Sequence, residues 1–475
     1  MRFFVVSLLL LSSISVFAQS RRVNPNLPAN QSVAAASPAN DLPVKEMFDE
    51  ANAFAKTKFA EYQQKKVPYS ENLRLQTVRE QKQLAAKYAS MALTRANLTG
   101  EDFYYIGLLH WIAENLDGAA EVFGKALAAE AVAVEKKQTA RSIVAVIAAK
   151  QKRFDEAEKL LVEYLKINPT KLTERARMES ELAKNYRAEK NLGKAAPHAV
   201  EAFRATKGLF QDSVSRAKGL DELLDAGMTV FEIYRDAARQ KEADESLEDL
   251  RQTAAFVESP SFYYYAVDHQ IKYQIETGRK PLALQTFQNA FALAAKDFPQ
   301  KPPQAYISDR LKKREKHYKM LGEPAPELTD VSQWLPGTAQ TLASMRGRVV
   351  LLDFWATWCG PCFDTFPHLT EWHQDFQKDG LAILGVTRYY GEAEGMKVDE
   401  ASEIEFLNRF KKAQRLPYDF VVGKGQANQI NYGATSLPTA ILIDRKGIVR
   451  YAESGTNESR AEEMREMILK LLAEK

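Results

Sequence analysis

Two hydrophobic periods divide this chain. From about Glu46 to Tyr318, apolar residues recur at i, i+3, i+4 and i+7, in segments rich in Ala, Leu, Glu, Lys and Gln. That spacing stacks them on one face of a 3.6-residue period, and the composition favours helix. After Pro326, short apolar runs alternate with amphipathic stretches. Runs at 349–354, 381–387 and 439–443 predict buried strands, and the turn Asp444-Arg445-Lys446-Gly447 leads into a fourth at 448–452. Helices are predicted at 359–376, 403–413 and 458–472. The last places Met464, Met467, Ile468, Leu471 and Leu472 on one face. The fold class expected is multidomain, an all-α region followed by an α/β domain. Gly322-Glu323-Pro324-Ala325-Pro326 breaks helix and sets the boundary, giving domains at 46–321 and 322–475.

The first 45 residues fit neither pattern. Arg2, the apolar run over 3–11, and Val16 and Ala18 at the −3 and −1 positions predict an export signal over 1–18, cleaved after Ala18. The run is short for a membrane span, and no cysteine follows it to carry a lipid. An exported protein is expected, periplasmic or extracellular, tethered to the membrane if the signal stays uncleaved. Residues 19–45, rich in Asn, Pro, Ala and Ser, read as a disordered linker.

Within the helical region a pattern repeats about every 38 residues. Leu116-Asp117-Gly118-Ala119 continues to Phe123 and Leu127, Phe154-Asp155-Glu156-Ala157 to Leu161 and Leu165, and Leu192-Gly193-Lys194-Ala195 to Ala199 and Phe203. Weaker echoes fall at Lys241-Glu242-Ala243 and Pro281-Leu282-Ala283, and Asn168-Pro169 stops the best copy. The pattern resembles degenerate tetratricopeptide repeats. The resemblance implies stacked helix pairs whose concave surface takes a protein or peptide partner. The basic run Leu311-Lys312-Lys313-Arg314-Glu315-Lys316-His317 reads as a solvated helix face.

A net charge of +3, from 65 basic and 62 acidic residues, gives no electrostatic case for nucleic acid. The cysteines narrow the chemistry. The chain has 2, Cys359 and Cys362, and a bridge between them closes so small a loop that it would stabilise the fold little. Their position is informative. They follow the strand predicted at 349–354, and Gly360-Pro361 opens a helix, since proline is tolerated in a helix's first turn. A thiol at a helix N-terminus is biased towards the reactive thiolate. A C-x-x-C at a strand-to-helix junction therefore points to thiol–disulfide exchange. Two thiolates are half of a tetrahedral zinc site. His368 and His373 are poorly spaced to complete it and are read as structural.

The run Asp353-Phe354-Trp355-Ala356-Thr357-Trp358-Cys359-Gly360-Pro361-Cys362 resembles a thioredoxin active site. With Arg346-Gly347-Arg348-Val349-Val350, Ala382-Ile383-Leu384-Gly385-Val386 and Leu437-Pro438-Thr439-Ala440-Ile441-Leu442-Ile443-Asp444, it is similar to the exported TlpA/ResA family of thioredoxin-like proteins. The resemblance covers residues 322–475, with Pro367 where thioredoxins kink the active-site helix. It implies that Cys359 is the nucleophile, Cys362 the resolving thiol, Asp353 a buried carboxylate that takes the resolving proton, and Pro438 a cis-proline facing the disulfide. Trp358, Gly360, Pro361 and Leu437 would touch substrate, and Trp358 and Trp355 would floor and flank the site. No cofactor beyond the Cys359–Cys362 disulfide is implied. The implied partners are protein disulfide substrates and a membrane thiol electron donor.

This chain departs from the family's pattern in three places. Leu437 is bulky. Thr387-Arg388-Tyr389-Tyr390 stands where an acidic residue ends the second central strand, with Glu392 further on. Residues 389–399 form a long charged stretch that reads as a lid or specificity loop. The function expected is an exported thiol–disulfide oxidoreductase that reduces protein disulfides, its helical repeats recruiting a partner or substrate. The alternatives are an interaction scaffold with an accessory redox domain, or a thiol peroxidase. Ala356 disfavours the peroxidase, because that chemistry puts Thr or Ser three residues before the cysteine.

Overall fold

The computed structural model describes residues 42–211 and 219–474. The predicted export signal and all but the end of the predicted linker lie outside the described residues. The described residues form two compact units, divided between Val122 and Phe123.

In the first unit, α1 (Val44–Gln64), α2 (Glu71–Leu93) and α3 (Gly100–Ile112) pack through Met47, Ala51, Ala85, Ala89, Ile106 and Leu109. Ser70 caps α2 by accepting from the Leu73 amide. Thr99 and Asp102 form a reciprocal capping box on α3. The chain leaves this unit in α4 (Leu116–Ala128), which begins at the first repeat copy.

The second unit opens with helices paired antiparallel: α5 (Val134–Lys150) with α6 (Phe154–Lys166), α7 (Leu172–Ala188) with α8 (Leu192–Gly208), α9 (Leu220–Asp236) with α10 (Gln240–Phe256), and α11 (Pro260–Glu276) with α12 (Lys280–Asp297). The repeat signals at Phe154, Leu192, Lys241 and Pro281 all fall at the start of a second helix. Their alanines Ala157, Ala195, Ala243 and Ala283 are fully buried. A methyl group there lets neighbouring helices approach closely, which is why a small residue recurs.

The turn inside each of the four pairs is one device, and it recurs between α10 and α11. Lys152, Lys190, Ala238, Glu258 and Gly278 adopt left-handed backbone, and the next amide donates back to the carbonyl five residues earlier, as from Arg153 to Ala148 at 2.8 Å. Only Gly278 is the residue type that conformation favours.

The last helix, α13 (Lys301–Met320), corrects the reading of the basic run. Lys312, Lys313 and Lys316 are exposed, but Leu311, Arg314, His317 and Tyr318 are buried. The i, i+3 stripe that carries Arg314 and His317 faces protein rather than water. Arg314 donates to Asp268 of α11 at 3.2 Å, to the Ala452 carbonyl at 2.8 Å and to Glu453 at 2.8 Å. Lys272 of α11 reaches Glu453 at 2.9 Å and Glu463 at 3.0 Å, and the Tyr318 hydroxyl donates to Asp268 at 2.5 Å.

Glu453 and Glu463 belong to the C-terminal α/β domain, so this buried ion cluster joins it to the helices. Burial opposes ionisation of Asp268 and Glu453, yet Arg314 and Lys272 hold both below the usual carboxylate range. The boundary segment adds a second tie: Gly322 donates to the Val449 carbonyl and Val449 to that of Glu323, at 2.8 and 2.9 Å.

The α/β domain comprises β1 (Val331–Leu335), β2 (Val349–Phe354), α14 (Gly360–Phe376), β3 (Leu381–Arg388), β4 (Glu392–Ala393), β5 (Met396–Lys397), α15 (Glu400–Ala413), β6 (Asp419–Gly423), α16 (Ala427–Tyr432), β7 (Thr439–Ile443), β8 (Val449–Ser454) and α17 (Glu458–Ala473). The main sheet runs β1-β6-β3-β2-β7-β8. β2, β3 and β6 are parallel, and β1, β7 and β8 pair antiparallel with their neighbours.

Strand alternation splits the core. Leu351, Trp355, Ile383, Phe420 and Val422 pack under α14, α15 and α17. Val350, Leu352, Phe354, Leu384, Val386, Ile441 and Ile443 pack with Tyr432 of α16 and with Met320 and Leu321 at the end of α13. The sequence reading misses β1, β6, α16 and the β4–β5 hairpin. α15 starts before the predicted 403 because Asp399 caps it, accepting from the Ser402 amide.

Removing one partner from a buried ion cluster costs about 3–5 kcal/mol, because the remaining charges stay buried. Arg314→Ala should therefore destabilise the α/β domain by that order, read as a lower urea midpoint in near-ultraviolet circular dichroism. A midpoint equal to wild type would show that the cluster does not hold the domain.

Candidate active site

The site sits where β2 ends. β2 is buried on both faces, with β3 and β7 as its neighbours, so its direction is fixed by pairing on both edges. The chain leaves it through Trp355 to Trp358 and enters α14 with Cys359 as N-cap. Pro361 falls in the first helical turn, where its missing N–H is not needed. Cys359 and Cys362 are joined in a disulfide. Cys359 keeps 4% of its surface exposed and Cys362 none. On reduction, Cys359 would lie at the positive end of the helix dipole, which favours its thiolate.

The other implied substrate contacts form the rim. Trp358 is 60% exposed, and Gly360 and Pro361 are exposed beside it. Trp355 does not flank the site. It is wholly buried beneath it, 4.8 Å from the ring of Phe420 and stacked on Phe410 at 5.4 Å.

Asp353 lies in β2 between Leu351 and Trp355, so alternation puts it on the α14 face with the cysteines. It is almost completely buried, and its Oδ2 has no hydrogen-bond partner among the described residues. Burial alone pushes its carboxyl up to about 7. Such a group exchanges a proton near neutral pH.

The Leu437-Pro438 peptide is cis. The Pro438 carbonyl accepts from the Gly455 amide at 2.7 Å. Leu437 makes no backbone hydrogen bond among the described residues, so its amide and carbonyl are the open main-chain groups next to the cis-proline.

Residues 388–399 close the other side. Arg388 stacks on the Tyr390 ring at 4.1 Å and donates to Gln429 at 3.1 Å, so its cation is already engaged. Tyr390 meets Trp358 edge-on at 5.4 Å. The amides of Tyr390 and Gly391 both donate to the buried carboxylate of Glu403, each at 2.9 Å. Glu392, the acid the sequence pointed to, is exposed in the β4–β5 hairpin. Sequence reasoning placed Tyr390 in a lid or specificity loop without giving it a contact and missed Glu403, which nothing marked beyond its place in a predicted helix. His368 stacks on Trp372, and His373 lies 6.4 Å from the Tyr418 ring.

Comparison with known proteins agrees with this geometry. Residues 321–452 match the AhpC/TSA family model. Thiol-disulfide oxidoreductase ResA of Geobacillus thermodenitrificans (strain NG80-2) is 34% identical over 138 residues, 29% of this chain and 70% of that protein. Through its C-terminal domain, the chain belongs to the ResA family of thiol–disulfide oxidoreductases. The ResA of Geobacillus kaustophilus (strain HTA426) is 33% identical over the same shares. Protein DipZ of Mycobacterium bovis (strain ATCC BAA-935 / AF2122/97) is 32% identical over 137 residues, 28% of this chain but 19% of that protein. A thiol-disulfide isomerase structure from Corynebacterium glutamicum is 21% identical, with a TM-score of 0.28, covering 32% of this chain and 98% of that one.

The raised Asp353 value sets a pH-dependence. Between the unfolded value near 4 and about 7, the folded ResA-like domain holds a proton that the unfolded chain has released. Stability is therefore full at acid pH and falls as pH rises through 7, by up to about 4 kcal/mol. Asp353→Asn should melt higher than the oxidised wild type at pH 8 and level with it at pH 4. An equal gap at both values would show that Asp353 is not buried as an acid.

Proposed function

We propose that this protein reduces disulfides in other proteins through Cys359 and Cys362. The observation that carries the reading is the placement of Cys359 as N-cap of α14, bonded to the deeper Cys362, with the buried Asp353 on the same sheet face. The reduced Cys359 thiolate attacks a substrate sulfur, giving a mixed disulfide and one substrate thiol. Asp353, as carboxylate, takes the proton of Cys362. The new thiolate attacks Cys359 Sγ, the Cys359–Cys362 bond forms, and the second substrate thiolate leaves.

Leu437 offers its free amide and carbonyl to an extended client segment, and Trp358 covers the apolar side of that segment. A Gly-Pro dipeptide between the cysteines favours the reducing direction, as in thioredoxin at about −270 mV rather than strong oxidants near −120 mV. Export to an oxidising compartment, which the N-terminal sequence supports, makes a membrane thiol carrier the electron source. The stacked helix pairs recruit the partner or client, a role that rests on their tetratricopeptide resemblance.

Trapping tests the assignment. Cys362→Ser should accumulate mixed disulfides through Cys359, seen as reductant-sensitive adducts on non-reducing gels, and Cys359→Ser should capture none. Capture by Cys359→Ser instead would reverse the two roles. A measured potential above about −150 mV would overturn the reducing direction.

A further inference from the structure

The segment after β3 holds one side chain more firmly than a surface loop requires. Tyr389 anchors its base: the amide donates to the Gly423 carbonyl at 3.1 Å, and the hydroxyl lies 3.2 Å from Ser332 Oγ on β1. The chain then turns at Gly391, whose φ of 69° suits glycine. That turn aims two successive amides, those of Tyr390 and Gly391, at the two oxygens of the Glu403 carboxylate, each at 2.9 Å. Val398 closes the loop by donating to the Gly391 carbonyl at 3.1 Å. Glu403 is buried, so the loss of these donors would leave a charge without compensation.

The Tyr390 ring is fixed as well as its backbone. The Arg388 guanidinium covers it at 4.1 Å. Gln429 of α16 ties the two together, accepting from Arg388 Nε at 3.1 Å and donating to the Tyr390 hydroxyl at 3.2 Å. The ring packs against the core beneath α14 yet stays partly exposed. It meets the Trp358 indole at an interplanar angle of 90°, with centroids 5.4 Å apart. Trp358 is largely exposed and adjoins Cys359 in the chain. An indole held by a fixed neighbour is ordered before anything binds, which lowers the entropy lost on binding.

We propose that Trp358 and Tyr390 form a subsite for a large apolar side chain, aromatic or branched aliphatic, beside the reactive cysteine of the client, with Glu403 as its positioning residue. The inference rests on Cys359 being the sulfur that attacks the client. A client sulfur at Cys359 brings its neighbouring residues over Trp358. Two rings at right angles form a corner that touches an apolar group on two sides. Arg388 adds no free cation to attract an acidic residue, because the Tyr390 ring, Gln429 and the Tyr389 carbonyl, at 3.0 Å, already engage it. The open main-chain groups of Leu437 bind a client backbone whatever its sequence, so selection falls to the corner.

The test uses two synthetic peptides, each with an intramolecular disulfide, that differ only in Phe or Ser beside the first cysteine. The reduced full chain is mixed with each, and second-order rate constants are read by acid quench and chromatography. Wild type should reduce the Phe peptide on the order of tenfold faster than the Ser peptide. Tyr390→Ala should cut that ratio by about threefold or more, and Tyr390→Phe, which keeps the ring, should preserve it. Glu403→Gln should lower the ratio too, since only one acceptor oxygen remains for two amides. A general structural defect slows both peptides alike and leaves the ratio unchanged.

Equal wild-type rates for the two peptides would overturn the subsite and leave the exchange reaction standing. A ratio that survives Tyr390→Ala, or that is lost in Tyr390→Phe, would show that the ring is not what reads the client. A Glu403→Gln protein slowed equally on both peptides would remove the positioning role. Failure of the fully reduced wild type to reduce either peptide would overturn the exchange reaction itself.

Discussion

A carboxylate buried in an apolar sheet face is the constraint on which the rest of this site depends. Asp353 occupies a central strand among Leu351, Trp355, Ile383 and Phe420, where charge is strongly disfavoured. A structural role would call for a leucine. The same burial that makes the residue costly raises its proton affinity to the range where a thiol can use it. The disulfide above, the helix terminus that holds it and the sheet pairing on both edges of β2 keep that acid dry and the two sulfurs in a fixed relation to it.

The helices are not a loosely strung appendage to this domain. Arg314 and Lys272 bring cations from α13 and α11 to Glu453 on β8, and Asp268 balances them. Glu453 pairs in register with Ala440 of β7, the strand that follows Pro438. The strand that leads away from the cis-proline thus pairs directly with a member of the ion cluster. A buried cluster of this kind is a modest source of stability but a demanding one geometrically, and it suits fixing an orientation. A client held on the α5–α13 stack would meet the disulfide at a set position rather than at the end of a tether.

How much could be read in advance follows from which interactions are local. The strand at 349–354, the helix opened by Gly360-Pro361 and the paired cysteines were legible because alternation, proline and cysteine each carry a local rule. The repeat was legible through Ala157, Ala195, Ala243 and Ala283, since close helix packing demands small residues at fixed spacing. The turns between those helices were not, because Lys152, Lys190, Ala238 and Glu258 take a conformation usually signalled by glycine. Arg314 and His317 looked solvated because their partners lie on α11 and β8, far along the chain. Glu403 holds the amides of Tyr390 and Gly391 by a contact that only the fold creates.

The protonation of Asp353 decides between this account and a purely structural carboxylate. Carbon-13 NMR of aspartate carboxyls in the oxidised full-length protein, with Asp353→Asn supplying the assignment, reads it directly. The account requires a midpoint near 7 for Asp353. A midpoint near the ordinary value of about 4 would contradict it, because a carboxyl already ionised at that pH is neither dry nor able to hold the resolving proton.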